Sequence, residues 1–360
     1  MCISQWKTYS IDVPCMEPTD AVKLAYQCEF GCGHLLAEES LCAERIAMEI
    51  AETAEELKKQ RAETPFQEIG GGLCRLNLRS LPVRVLPPVL IARMMAETAR
   101  VKQGSMAGFM KALSTLRQAC AEGIFSFSLP ALDEYLDGYA REGYPTVSHS
   151  KTYRRAYAPA YRVVLREYGN LLPIVNAVEA APKKPCVVAI DGDCGAGKTT
   201  LAHLLAPLYH ASIISLDDFF LPSDLRTPAR LAEPGGNIHY ERFATEVLKN
   251  LGTGERFSYA RYDCHSESLK EQAVEPLPVI LLEGSYSHHP FFAAEYQRLS
   301  ALRVWVKVSE AEQLRRLARR NIALLSRFEK EWIPMEKAYA AAFAPAQKAD
   351  YVIQERMESK

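Results

Sequence analysis

Residues Gly192-Asp193-Cys194-Gly195-Ala196-Gly197-Lys198-Thr199 fit the pattern G-x-x-x-x-G-K-[S/T] without a mismatch. Glycines at such spacing let the backbone turn and bring its N–H groups against phosphate oxygens. A helix starting at or near Lys198 adds unpaired N–H groups and a positive dipole end. Lys198 has the length to reach β- and γ-phosphates, and the Thr199 hydroxyl suits a Mg²⁺ ligand. Asp193, Cys194, Ala196 and Thr200 complete the expected nucleotide-binding stretch. A cysteine beside a helix N-terminus can have a lowered pKa, but Cys194 reads first as a small residue in a tight loop.

Two further segments carry acids where such a loop would need them. "ASIISLDDFF" ends a strand-like run in Asp217 and Asp218, and "PVILLEG" ends another in Glu283. Carboxylates at the C-terminal edge of a parallel sheet face the same crevice as the loop. One aspartate can take a proton from an acceptor hydroxyl, and Glu283 stands where a second metal-shell acid belongs. The other aspartate, Asp218, reads as a cap or turn residue.

In order, "GDCGAGKTT", "SLDDFF", "YARYDCHS", "LLEGSYS" and "WIPMEKAYAAAFAPAQKADYVI" resemble the uridine kinase and phosphoribulokinase branch of P-loop kinases. The resemblance spans about residues 185 to 356. It implies ATP and Mg²⁺ as cofactors, with Asp217 as general base, Glu283 near the metal, and Tyr262 and His265 bordering the acceptor. It also implies arginines from the helix and lid region, among Arg315, Arg316, Arg319 and Arg320, with Arg316 and Arg320 together on one face. A lid of this kind neutralises developing charge and excludes water. The sequence departs from the pattern at "EPGGNIHYERF", where His239 aligns with the aspartate that binds sugar hydroxyls. Neutral imidazole cannot accept two hydroxyl bonds as a carboxylate does, so an acidic or phosphorylated alcohol suits the site better than a ribonucleoside.

The elements around these residues divide the chain. "NAVEAAPKKP" reads as a linker, with a boundary near residue 182. Residues 1–182 place apolar residues three and four apart in "DAVKLAYQCEF", "AEESLCAERIAMEIAETAEELKKQRAE" and "PPVLIARMMAETARVKQGSMAGFMKALSTLRQACAEG", an amphipathic helical signal. The Gly triplet and the alternating "LCRLNLR" interrupt them as a loop with a short strand or hairpin. Residues 183–360 alternate apolar runs ("CVVAI", "ASIISL", "PVILLEG", "LRVWVKV", then "ADYVI") with helical stretches. The expected fold class is α/β: a P-loop kinase domain whose parallel sheet is flanked by helices. It follows a mainly α-helical domain with a small β element.

A net charge of -1 over 360 residues gives no field toward nucleic acid or an anionic membrane. No apolar run spans a bilayer, and the N-terminus lacks a charged segment followed by an apolar core. A cytoplasmic chain with reduced thiols is expected for its 10 cysteines. Cys28, Cys32, His34 and Cys42 could make a zinc set, but C-x3-C-x-H is an uncommon spacing, and buried thiols around a glycine turn are the expectation. "TVSHSKTYRRAYAPAYRVV" clusters His149, Tyr153, Arg154, Tyr157, Tyr161 and Arg162. It reads as half-buried amphipathic residues or as a stacking and anion-binding surface. Together these features point to an ATP-dependent phosphotransferase acting on a hydroxyl of a small metabolite, with homo-oligomerisation left open. The alternative is a nucleotide-gated binding protein whose P-loop domain controls the N-terminal one; a switch does not need Asp217 as a base.

Overall fold

The computed structural model describes residues 2–35, 38–54, 64–264 and 266–354. The chain divides into two compact units, Met1–Asn176 and Ala177–Lys360, with the helix Arg166–Glu179 running through the division. Among the described residues no helix is long and apolar enough to cross a membrane.

The first unit packs helices around an antiparallel sheet of β1 (Phe66–Gly70), β2 (Leu73–Asn77) and β3 (Tyr161–Leu165), in that order. The Gly triplet makes the β1–β2 turn. At Gly71 φ is +62°, and an added Cβ would stand 2.4 Å from the Cys28 carbonyl oxygen, so only glycine fits. The long apolar pattern from residue 87 to 123 is two helices, Pro88–Val101 and Met106–Ala121. Gly104 turns with φ +67°, and the Ser105 hydroxyl then caps the second helix by accepting the Gly108 N–H at 3.0 Å. The Tyr–Arg stretch is likewise split: helix Lys151–Tyr157 leads into β3.

In the second unit β4 (Cys186–Gly192), β5 (Ser212–Ser215), β8 (Val279–Glu283), β9 (Leu302–Lys307) and β10 (Tyr351–Gln354) form a parallel sheet in the order β5-β8-β4-β9-β10. A hairpin of β6 (Phe257–Asp263) and β7 (Ser268–Val274) is inserted between β5 and β8 in sequence. Every residue of β4 and β8 is buried, as expected where both faces of a parallel sheet are covered. From β4 the chain builds β5 and β8 on one side, then β9 and β10 on the other. The direction of strand order therefore changes at β4, and the crevice beyond its carboxyl end is where ligands bind in such sheets. The register levels the strand ends there: Ile190 pairs with Glu283, and Ser215 pairs with Glu283.

Candidate functional site

The loop after β4 has the backbone that its glycines anticipate. Gly192, Gly195 and Gly197 take φ of +145°, +72° and +103°. At Gly192 a Cβ would lie 2.0 Å from the Val306 carbonyl oxygen, so a side chain there would push the loop off β9. The helix Lys198–Tyr209 follows directly, with its N-terminus at the loop. Lys198 is buried, and its Nζ donates to the carbonyl oxygens of Gly192 (2.7 Å) and Asp193 (3.0 Å), which centres a cation on the loop. Thr199 Oγ1 donates to Glu283 Oε2 (3.0 Å), and Ser215 Oγ donates to the other oxygen at 2.8 Å. The end of β4's loop, the end of β5 and the end of β8 are thus tied through one carboxylate.

Asp217 stands two residues beyond β5. Its segment is anchored by Phe219, which is fully buried and packs edge-on to Phe243 and stacked on Tyr259, with centroids 5.1 and 5.2 Å apart. The carboxylate opens toward solvent, yet protein crowds it enough that desolvation raises its pKa, as does Glu283; Lys198 and Arg320 oppose this. Glu283, Lys198 and Arg320 are thus the charged groups that act on Asp217. Asp218 turns the other way. It accepts from Tyr259 (2.7 Å) and pairs with Arg261 (3.0 Å), so it fastens the β6–β7 hairpin to this segment.

The remaining expected residues are distributed as follows. Arg316 is held by Glu312 (2.7 Å) and donates to the Gly195 carbonyl oxygen at 3.3 Å, lying along the loop. Arg315 also binds Glu312, and the two arginines hold that carboxyl down at about 2. The backbone N–H of His239 donates to the Phe219 carbonyl oxygen (2.6 Å), which brings it beside the Asp217 segment. Its Nδ1 lies 3.1 Å from Glu241, which in turn binds Arg230 through both oxygens. Tyr262 is buried on β6 opposite Leu269. The thiol of Cys264, two residues on, is raised by desolvation first, with Arg226 opposing. His265 lies outside the described residues.

Residues not anticipated from the sequence complete the loop's surroundings. Asp191, buried in β4, accepts four hydrogen bonds: from the N–H groups of Gly192 (2.7 Å), Tyr286 (3.0 Å) and His288 (2.9 Å), and from the Tyr339 hydroxyl (2.9 Å). Glu336, on the helix Ile333–Phe343, accepts the Cys194 N–H (2.9 Å) and the Ser285 hydroxyl (2.9 Å). Desolvation raises its pKa, with Lys198 opposing. One amide of the loop is therefore already bonded to a carboxylate oxygen. Cys194 receives the Gln313 amide at sulfur (3.2 Å), and its thiol is pushed up to about 12 by burial first and then by Glu336. It is a packed loop residue, with none of the acidity that a helix N-terminus can confer. The sole sequence hint of Asp191 is its place before the first glycine; Glu336 lies in the last segment that carries the resemblance, but with no role assigned to it there.

Among the described residues no group of three or more His, Cys, Asp and Glu is placed to hold a metal ion. Cys28 and Cys32 donate to the carbonyl oxygens of Ile69 (2.8 Å) and Met95 (3.4 Å), and Cys42 to the Met95 sulfur (3.9 Å). His34 instead packs edge-on to Tyr26.

No protein-family model and no curated protein matches the chain. Among solved structures, the chain is similar to a possible uridine kinase from Bacillus stearothermophilus, at 16% identity and a TM-score of 0.41, covering 52% of this chain and 99% of that one. It is also similar to a putative fructose transport system kinase from Silicibacter sp. TM1040, at 24% identity and a TM-score of 0.40, covering 50% of this chain and 97% of that one.

Proposed function

We propose that the second unit, with its domain taken as residues 183–360, transfers the terminal phosphoryl group of ATP to a hydroxyl of a small metabolite. The observation that carries this reading is the Glu283 carboxylate at the end of β8, which takes the Thr199 hydroxyl of the loop and the Ser215 hydroxyl at the end of β5, with Asp217 two residues beyond that strand. A loop that only held a nucleotide would need Lys198 and Thr199 but no exposed carboxylate beside them.

In this reading the backbone N–H groups of residues 192–200 and the Lys198 ammonium hold the phosphates. Thr199 and Glu283 fit the inner and outer shells of Mg²⁺, which would supply charge neutralisation at the phosphates. Asp217 accepts the proton of the attacking hydroxyl. Arg316 and Arg320 stabilise negative charge on the group in transit. His239, Tyr262 and His265 border the acceptor. His239, in the place of a carboxylate, favours an alcohol that itself carries an anionic group, whereas Arg230 beside it is already paired with Glu241.

The test is product analysis with ATP, Mg²⁺ and a panel of metabolite alcohols, acidic and phosphorylated ones included. At least one alcohol should accelerate ADP release and appear phosphorylated. Asp217→Asn should lower that rate by roughly 10²–10⁴-fold, the usual worth of a general base, with ATP affinity kept. If every alcohol leaves ADP release unchanged, the phosphotransferase reading fails.

A further inference from the structure

The first unit contains a buried cation that no carboxylate among the described residues pairs with directly. Arg75, on β2, is 4% exposed. Its Nε and Nη2 donate to Gln27 Oε1 (3.1 and 2.6 Å), and its Nη1 donates to the hydroxyls of Tyr153 (3.4 Å) and Tyr9. The guanidinium also lies over the Tyr161 ring, 4.4 Å from its centroid. All these partners are neutral, and among the described residues no carboxylate forms an ion pair with it. A buried charge is normally paired, because its desolvation costs several kcal/mol.

The one acid in this core is already committed. Asp20 accepts His149 Nδ1 (2.8 Å) and the Ser150 N–H (3.0 Å) on one oxygen, and the Glu17 N–H (3.0 Å) on the other. Burial holds the His149 imidazole below its ordinary pKa. The neutral ring thus donates to Asp20 and accepts the Tyr161 hydroxyl at 2.6 Å. Lys23 is lowered to about 8, first by burial and then by the charges of Arg75 and Arg154.

Beside this cluster opens a cavity of about 580 Å³, lined by Arg75, Tyr153, Tyr157, Tyr161, Phe66 and Asn77 among others. That size is within the range of small-molecule sites. Tyr9 and Tyr153 accept from Arg75 and share one hydrogen bond (3.3 Å). One of their two hydroxyl protons is spent on that bond, which leaves the other for a further acceptor. We infer that this cavity binds a small molecule with an oxyanion, carboxylate or phosphate, paired to Arg75 and a planar body set among Tyr153, Tyr157 and Tyr161. It is a second ligand site, made wholly from the first unit and independent of the P-loop.

Calorimetric titration of the full chain with benzoate, with phenyl phosphate and with benzyl alcohol tests this. At least one of the two anions should bind at a single site at least tenfold more tightly than the alcohol, and which one does so distinguishes carboxylate from phosphate. Saturating ATP and Mg²⁺ should not displace it. Arg75→Met should weaken binding tenfold or more. So should Gln67→Trp, which fills the cavity from a half-buried position on β1. Gln67→Trp decides the matter if Arg75→Met does not fold. The inference is overturned if neither anion outbinds the alcohol, if ATP competes, or if Gln67→Trp binds as the parent does.

Discussion

At the scale of single residues, two carboxylates beside the P-loop have raised pKa values for the same first reason, desolvation, but opposite consequences. As the proposed base, Asp217 must be ionised to accept a proton. Its folded pKa is raised, so turnover should be lost as pH falls through a value above the ordinary aspartate value of about 3.9. Glu336 sits on the Cys194 amide, where an incoming phosphate oxygen of like charge would compete. Protonating it should therefore help nucleotide binding. Kinetics from pH 4.5 to 8 should show an acid limb in kcat, while Glu336→Gln lowers the KM for nucleotide by roughly tenfold, about 1.4 kcal/mol, and leaves that limb in place. A limb that moves with Glu336→Gln would reverse the assignment. The residues of this pair differ in how visible they are in sequence. Asp217 is legible because it closes an apolar strand run. Glu336 approaches from a helix more than 130 positions away from the loop, and no local pattern encodes that approach.

At the scale of elements, Asp191 ties the start of the loop to the elements around it. This carboxylate joins β4, the turn after β8 and the helix Ile333–Phe343 through four donors. Asp191→Ala would leave three backbone N–H groups and the Tyr339 hydroxyl without their acceptor. The expected loss is roughly 3 kcal/mol or more, measured as a lower denaturant midpoint, with weaker nucleotide binding; a loss under about 1 kcal/mol would show that water replaces the carboxylate. The parallel strands were readable because their apolar runs are buried on both faces. The β6–β7 hairpin was not, since "SLKEQAV" is mostly exposed and polar, and neither was β3, whose residues follow a helix within one Tyr–Arg stretch. The break at Gly104 and Ser105 is a local signal, yet the apolar spacing on either side runs through it in helical phase.

At the scale of the whole molecule, the candidate phosphotransfer residues and the core that supports them come from one unit. The buried cluster beneath the crevice, including Phe219, Phe243, Phe292 and Tyr339, draws no residue from before position 177. The loop between the helix ending at Glu179 and β4 beginning at Cys186 is the natural place to cut. A fragment of residues 180–360 should therefore unfold cooperatively by itself. At one common concentration of ATP with Mg²⁺, a hundredfold above the full chain's Kd, fragment and full chain should both be stabilised by about 2.7 kcal/mol. Equal shifts mean that the nucleotide does not act through the first unit, as expected of an enzyme whose chemistry is local. A markedly larger shift in the full chain would mean that nucleotide binding is coupled to the first unit. That outcome would favour a nucleotide-gated switch over a simple phosphotransferase, because linkage requires any such coupling to appear in the binding free energy.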